Sequence, residues 1–110
     1  MHTVVETPEY LKASARAGMS EGERRDVIDF ISANPDAGVL LDGGLRKVRV
    51  PGKGRGKSGG YRVITYYMDE DEPVFLLTVI SKGQRANLTE TQKRSVKQVA
   101  KDEKRNRGRR

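Results

Sequence analysis

The sequence predicts an α+β fold of order β-α-α-β-β-β-α, in which an antiparallel sheet carries two N-terminal helices on one face and a further helix follows at the C-terminus. Three observations predict it. Helix-capping residues occur twice before residue 35, the hydrophobic period changes to that of strands after residue 44, and helical spacing returns after residue 89. Helices grouped apart from an antiparallel sheet are typical of this class, and they are expected to pack on one of its faces.

The N-terminal third predicts a strand and a helical hairpin. The first five residues are partly β-branched and favour a short strand. Thr7 precedes a proline, so it is expected to cap a helix over about 8–17. Ser20 and Glu23 have the spacing of a capping box, and the second helix is expected to end at Asn34, which precedes another proline.

Three strands are expected next. Apolar and cationic residues alternate over 45–50, aromatic and β-branched residues fill 61–68, and 74–80 is apolar at all positions but one. The acidic block 69–72 is expected to form a hairpin loop, which makes the three strands an antiparallel meander. Since both alternating faces of 74–80 are apolar, this strand is expected at the centre of the sheet.

A final helix is expected from about Thr89, which has Gln92 at capping-box spacing. Its apolar stripe is narrow and consists of Val96, Val99 and Ala100. The 110 residues suffice for a single domain, predicted over 1–103, with a basic, disordered tail over 104–110.

Composition limits the class of protein. The chain has no cysteine, so disulfides and thiolate sites are excluded, and this suits a reducing compartment. No apolar run approaches the ~20 residues of a membrane span, and the N-terminus lacks a secretory pattern. We therefore expect a cytoplasmic protein with no membrane partner.

The formal net charge of +7 is unevenly distributed. Residues 43–68 hold seven basic side chains and no carboxylate, and 93–110 hold nine cations against two carboxylates. The N-terminal 42 residues are instead net acidic. This asymmetry indicates a polyanionic partner, most often a nucleic acid.

The central basic stretch includes a glycine-rich loop over 52–60, with Lys53, Arg55 and Lys57 interleaved. Glycine allows the backbone to approach a phosphate closely, and the cations supply the charge. A nucleotide-binding P-loop is disfavoured, because a tyrosine-rich strand follows where a helix is required. The alternative is a solvated hairpin loop whose charge is incidental.

The strands beside this loop also carry cations. Period-two alternation places Lys47 and Arg49 on one face of their strand, and Arg62 and Tyr66 on one face of the next. Cations in mid-sheet are costly unless that side binds something negative. The alternative is pairing with the acidic residues of 69–72 or of the helices.

Familiar catalytic sets are missing from the sequence. His2 is the only histidine, which excludes a two-histidine ribonuclease, and the carboxylates lack the spacing of metal ligands. We expect neither a metal nor a cofactor. Any catalysis must therefore use Lys, Arg and Tyr.

Four segments together form a specific pattern: 44–50, the glycine-rich basic loop, Gly59-Gly60-Tyr61-Arg62-Val63-Ile64, and 75–83. With Tyr66-Tyr67 and Leu88-Thr89, they resemble the RelE/HigB group of bacterial toxin–antitoxin toxins. The resemblance covers about 45–100 well, while the N-terminal elements agree only in pattern.

The resemblance implies a ribosome-dependent mRNA interferase that cuts mRNA in the A site of the 30S subunit and blocks translation. Members of the group cleave without metal, by attack of the ribose 2′-hydroxyl, and leave a 2′,3′-cyclic phosphate. Clustered cations suit this chemistry because they stabilise charge on the phosphorane. The implied partners are ribosomal RNA, mRNA and an antitoxin of the helix-turn-helix or ribbon-helix-helix type encoded by the adjacent gene.

Carried over by position, the resemblance assigns the phosphate-binding arginine to Arg62 and the basic pair to Lys47 and Arg49, with Lys47 as the candidate base. Lys82 corresponds to the cation at the end of the last strand. A tyrosine that some relatives use to stack on a base has no counterpart, since Leu88 stands near that position. The residues expected to contact RNA are Arg46, Lys53, Arg55, Lys57 and Tyr66.

Two other functions remain open on the sequence. ParE-like toxins of the same superfamily inhibit DNA gyrase and cut no RNA, although a cation cluster on the sheet is unnecessary for that role. A non-catalytic RNA-binding module would need only the basic loop and tail.

Overall fold

A computed structural model describes residues 2–50, 60–81, 94, 96–102 and 105. It confirms the α+β class. The elements are β1 Val4–Glu6, α1 Pro8–Arg16, α2 Glu21–Ala33, β2 Val39–Leu40, a 3-10 turn Asp42–Gly44, β3 Leu45–Val50, β4 Tyr61–Tyr66 and β5 Val74–Ser81. Residues 94, 96–102 and 105 are helical and are called α3.

The five strands form one sheet in the order β1-β5-β4-β3-β2. The predicted antiparallel meander is confirmed as β3-β4-β5. The predicted central place of 74–80 is wrong by one strand, because β4 lies at the centre and β5 lies between β4 and the edge strand β1, which adds a further strand beside it. The prediction of a wholly antiparallel sheet is wrong at one edge, because β1 pairs with β5 in parallel. The direction of β1 relative to β5 depends on the path of the chain between these two strands, and the composition of either strand does not determine it.

The short edge strand β2 was not predicted. It pairs antiparallel with β3, and its approach depends on Gly38. That glycine has a φ of 94°, and a Cβ built there would lie 2.4 Å from the backbone oxygen of Lys47. A side chain would therefore both strain the backbone and collide with β3.

Both predicted helix caps are confirmed. The Thr7 hydroxyl accepts from the Tyr10 amide at 3.2 Å and donates to the Leu76 carbonyl at 2.7 Å, so the cap also ties α1 to β5. Ser20 and Glu23 bond reciprocally at 3.1 and 2.9 Å as a capping box. Each such cap contributes about 1 kcal/mol.

The helices α1 and α2 pack on one face of the sheet, here called the hairpin face. Burial raises the pKa of Tyr10 on α1, so its phenol stays protonated and donates to the Met19 sulfur at 3.7 Å. The core on this face includes Tyr10, Ala13, Val27, Ile31, Val48, Val63, Val74 and Leu76.

The expectation that the helices share one face is wrong for α3. Val96 and Ala100 are buried against the opposite face, here called the α3 face. The physical reason lies in β5, whose alternate residues are apolar on both sides and need cover on both. The core on this face includes Leu45, Ile64, Tyr66, Phe75, Leu77 and Ile80.

The helices that the structure describes include none with the length and apolar character needed to cross a membrane. The predicted start of the last helix near Thr89 lies outside the described residues. Of the predicted tail 104–110 the structure describes Arg105 alone, and this residue is helical. The domain boundary at 103 stays a prediction.

Candidate functional site

Three of the predicted site residues lie together on the α3 face. In the pairing of β3 with β4, Arg49 is directly opposite Arg62, and Lys47 is directly opposite Ile64. Cross-strand partners share a face, as do residues two apart on one strand. Lys47, Arg49 and Arg62 therefore form a single group, here called the cation cluster.

Strand geometry sets the size of this cluster. Cα atoms two residues apart on a strand are separated by about 6.7 Å, and neighbouring strands lie about 4.8 Å apart. Arg49 is exposed, whereas Lys47 and Arg62 are half-buried. Three positive groups thus project from a patch comparable in width to one phosphodiester.

The alternation of side chains along β3 directs Lys47 and Arg49 to the α3 face. Val48 and Val50 are buried in the core of the hairpin face, so Lys47 and Arg49 must point the other way. On β4 the same constraint comes from Val63, which is fully buried on the hairpin face. The cations border the region that α3 covers, since Ile80, the partner of Arg62 on β5, belongs to the α3-face core.

Arg49 and Arg62 carry like charges at directly opposite positions of adjacent strands. Like charges directly opposite each other on adjacent strands are destabilising, by up to about 1 kcal/mol. An anion seated between Arg49 and Arg62 would offset that repulsion and accept charge-assisted hydrogen bonds from both guanidinium groups. The arrangement is therefore suited to a phosphate group.

Thr78 is a polar neighbour of the cluster that the sequence reasoning did not single out. It is directly opposite Ile64 on β5, which places it on the α3 face in the same row as Lys47. Two strand spacings separate Thr78 from Lys47, or about 10 Å. Thr78 could have been identified from the sequence, because it is the one polar residue within 74–80.

Arg46 was expected to contact RNA, but the structure places it on the hairpin side, away from the cluster. Its guanidinium donates to the Tyr67 carbonyl at 3.1 Å and lies 5.7 Å from the centroid of the Tyr67 ring. Period-two alternation already separates Arg46 from Lys47 and Arg49. The structure gives Arg46 a structural contact at the end of β4.

Tyr66 lies on the α3 face as expected, but its ring is part of the core. The residue is only 7% exposed, and its ring centroid is 6.4 Å from that of Phe75. A buried ring presents no free face on which a base could stack. The buried position of the Tyr66 ring gives no support to its expected contact with RNA.

Four further predicted residues lie outside the part of the chain that the structure describes. Lys53, Arg55 and Lys57 of the glycine-rich loop, and Lys82 after β5, therefore stay predictions from the sequence.

Two comparisons with known proteins bear on this fold and site. The family model described as "RelE toxin of RelE / RelB toxin-antitoxin system" matches residues 16–108. A solved structure of E. coli toxin RelE, a double arginine-to-alanine mutant in the free state, matches with a TM-score of 0.58 and 16% sequence identity. The match covers 89% of this chain and 97% of that one, so the two share a fold over nearly their whole lengths.

Proposed function

Because this chain belongs to the RelE toxin family of toxin–antitoxin systems, we propose that it is an mRNA interferase that cuts mRNA in the ribosomal A site. The observation that carries the proposal is the pairing of Arg49 with Arg62 on the α3 face, with Lys47 beside them. This cluster is complementary to a phosphodiester, which is the group that the reaction attacks.

The proposed reaction is an internal transesterification. The ribose 2′-oxygen attacks the adjacent phosphorus and its proton passes to the Lys47 amine, while the bond from phosphorus to the 5′-oxygen breaks. The products are a 2′,3′-cyclic phosphate and a 5′-hydroxyl, whose proton Lys82 is proposed to supply. Atoms and charge balance without a metal ion or any other reactant.

Arg49 and Arg62 are proposed to bind the non-bridging phosphate oxygens. Negative charge on these oxygens increases in the phosphorane, so hydrogen bonds from fixed guanidinium groups strengthen in the transition state. Loss of one donor of this kind typically lowers the rate by about 100- to 1000-fold.

The cluster is also the surface that an antitoxin would need to neutralise. The family implies a RelB-like antitoxin as the partner in a toxin–antitoxin pair. We propose that this partner is a helix-turn-helix or ribbon-helix-helix protein encoded by the adjacent gene, and that an acidic segment of it covers the cation cluster. Arg62→Glu should then weaken the complex, and the same substitution at the exposed Arg25 of α2 should not.

The main test is cleavage of mRNA on programmed ribosomes by the wild type and by Arg62→Ala. We expect the variant to cut at least about 100-fold more slowly, because a transition-state contact is lost. Arg25→Ala is the matched control, since it removes an exposed arginine on the other side of the sheet, and it should cut at the wild-type rate.

Three results would contradict the proposal. If the wild type leaves mRNA intact and lowers DNA supercoiling by gyrase, the chain is a ParE-like inhibitor. If the wild type binds ribosomes and cuts nothing, it is a passive RNA-binding module. If Arg62→Ala and Arg25→Ala cut equally fast, the cluster is not the catalytic site.

A further inference from the structure

The short edge strand β2 exposes two apolar side chains, one on each face of the sheet. Val39 is 63% exposed and Leu40 is 62% exposed. Edge strands commonly carry charged residues or proline, which discourage contacts with other molecules. The two faces of β2 differ in what lies beside each of these apolar side chains.

Val39 lies on the α3 face, beside the cation cluster. It is directly opposite Lys47 in the pairing of β2 with β3, and cross-strand partners share a face. Leu41, two residues further along, is partly buried against the core of the α3 face, which agrees with this placement. Leu40 is directly opposite Arg46 and therefore lies on the hairpin face, away from the cluster.

The pairing of β2 with β3 holds Val39 close to Lys47. Directly opposite residues of an antiparallel pair have Cβ atoms about 4.5–5.5 Å apart. Gly38 permits this approach, because a Cβ at that position would collide with the backbone oxygen of Lys47. A β-branched side chain has little rotational freedom, so Val39 presents a fixed apolar surface at the border of the cluster.

The surface beside Lys47 is open on one side only. Its two neighbours in the row across the sheet are Ile64 on β4 and Val39 on β2. Ile64 is 0% exposed and belongs to the core of the α3 face. An apolar group that lies next to Lys47 can therefore reach Val39 and cannot reach Ile64.

A nucleotide bound at the cluster brings such a group with it. In the proposed reaction Lys47 accepts the proton of the ribose 2′-oxygen, so this ribose lies against Lys47 and its base extends to the open side. The ring of Tyr66 is buried and gives that base no free face. A specific protein interface buries about 800 Å² on each partner, which is far more than a two-residue strand offers, so a single base is the better occupant.

We propose that Val39 binds the base of a single-stranded RNA nucleotide, namely the one whose ribose lies at Lys47. The inference rests on the proposed function for the position of that ribose. Valine has no hydrogen-bonding group in its side chain, so the contact is with the face of the base and accepts all four bases. It contributes affinity and orientation without selecting a codon.

The test isolates the contribution of one base to binding. The first probe is a fluorescent chain of about six abasic tetrahydrofuran phosphate units, and the second has a single 2′-deoxyadenosine in the middle of the same chain. Fluorescence anisotropy at about 50 mM KCl measures the affinity for each probe, and the ratio of the two affinities is the gain due to the base. Val39→Ser is the test variant, and Leu40→Ser is the matched control, because it changes an equally exposed residue of the same strand on the other face.

The wild type should bind the probe with a base about 3- to 10-fold more tightly, as expected when a side chain of this size is partly buried. Val39→Ser should lose this gain and keep the wild-type affinity for the abasic chain, since the cation cluster is unchanged. Leu40→Ser and Val39→Ile should both keep the gain. Replacing adenine in the probe with any other base should change the gain less than Val39→Ser does. Circular dichroism checks that each variant is folded.

Three results would overturn the inference. The first is an equal loss of the gain in Val39→Ser and Leu40→Ser, which would show a general effect on β2. The second is a wild type that binds the two probes equally or binds neither. The third is an unchanged gain in Val39→Ser together with a change from dimer to monomer in sedimentation equilibrium, which would make the edge an interface between two copies of the chain.

Neither probe contains a 2′-hydroxyl, so binding is measured without cleavage. A wild type that leaves mRNA intact would refute the proposed function, and the measured gain would still decide whether Val39 binds a base.

Discussion

Replacing Arg62 with methionine should stabilise the free protein while it lowers the rate of cleavage at least about 100-fold. Methionine keeps much of the aliphatic stem of arginine and removes the charge that faces Arg49 across β3 and β4. When the charges of a site are arranged to bind a ligand, a substitution that removes one of them is expected to reduce activity and raise stability.

The size of the effect follows from the strand geometry. Two guanidinium charges about 7 Å apart repel by about 0.6 kcal/mol in a medium like water, and the second neighbour, Lys47, adds a similar amount. Arg49 is exposed and Arg62 half-buried, so the value for water is the appropriate one. Allowing for some lost packing, Arg62→Met should raise the free energy of unfolding by about 0.5–1 kcal/mol at low salt.

Arg46→Met is the matched control, because it removes the same side chain from the opposite face. It loses the hydrogen bond to the Tyr67 carbonyl and the contact with the Tyr67 ring, so the free energy of unfolding should fall by about 1 kcal/mol. Arg46→Met should nevertheless keep its cleavage activity.

Urea unfolding at 20 and 300 mM KCl, followed by circular dichroism, measures both effects. The gain from Arg62→Met should largely disappear at 300 mM, where the Debye length is shorter than the separation of the charges. The reasoning is refuted if Arg62→Met destabilises the protein equally at both salt concentrations, since the opposed arginines would then be stabilising each other through contacts of the free protein.

Three further predictions concern buried or closely packed positions; the same urea experiment measures stability, and the ribosome assay measures cleavage. Thr65→Val should raise the free energy of unfolding by about 1 kcal/mol, because within the described part of the chain the buried Thr65 hydroxyl has no hydrogen-bond partner; a loss would mean that this hydroxyl is satisfied. Gly38→Ala should cost several kcal/mol more than Gly18→Ala, since both glycines have positive φ but only Gly38 lies against the backbone of β3; equal costs would show that the collision is relieved. Tyr66→Phe should leave RNA cleavage unchanged while Tyr66→Ala lowers the free energy of unfolding by about 3 kcal/mol or more, as expected for a buried ring; loss of cleavage in the phenylalanine variant would restore a direct role for the hydroxyl.

Local signals account for the parts of the fold that were predicted correctly. The caps at Thr7 and Ser20 each depend on a hydroxyl and on a backbone amide three residues away, so the local sequence contains all the information needed. The same holds for the alternation of β3, which places Lys47 and Arg49 on one face. Alternation also places Arg46 on the other face, so the separation of Arg46 from the cation cluster can be derived from the sequence.

The cations of α3 illustrate a different limit. The intervals between Arg94, Lys97, Lys101 and Arg105 are visible in the sequence, but they only define a surface once the residues are known to be helical. The expectation of disorder over 104–110 separated Arg105 from the other three. The side of α3 that packs was indicated by Val96 and Ala100, whereas the face of the sheet that receives it was not.

The sequence by itself determined the class of fold, the helix caps, the burial of β5 on both of its faces and the strand faces on which the cations lie. These follow from period, propensity and capping, which act between residues near one another in the chain. Only the tertiary structure decided that β1 runs parallel to β5, that α3 covers the face opposite the helical hairpin, and that Arg49 is directly opposite Arg62. Such relations depend on the register and direction of segments far apart in the chain, and they are fixed by the joint packing of the core on both faces of the sheet.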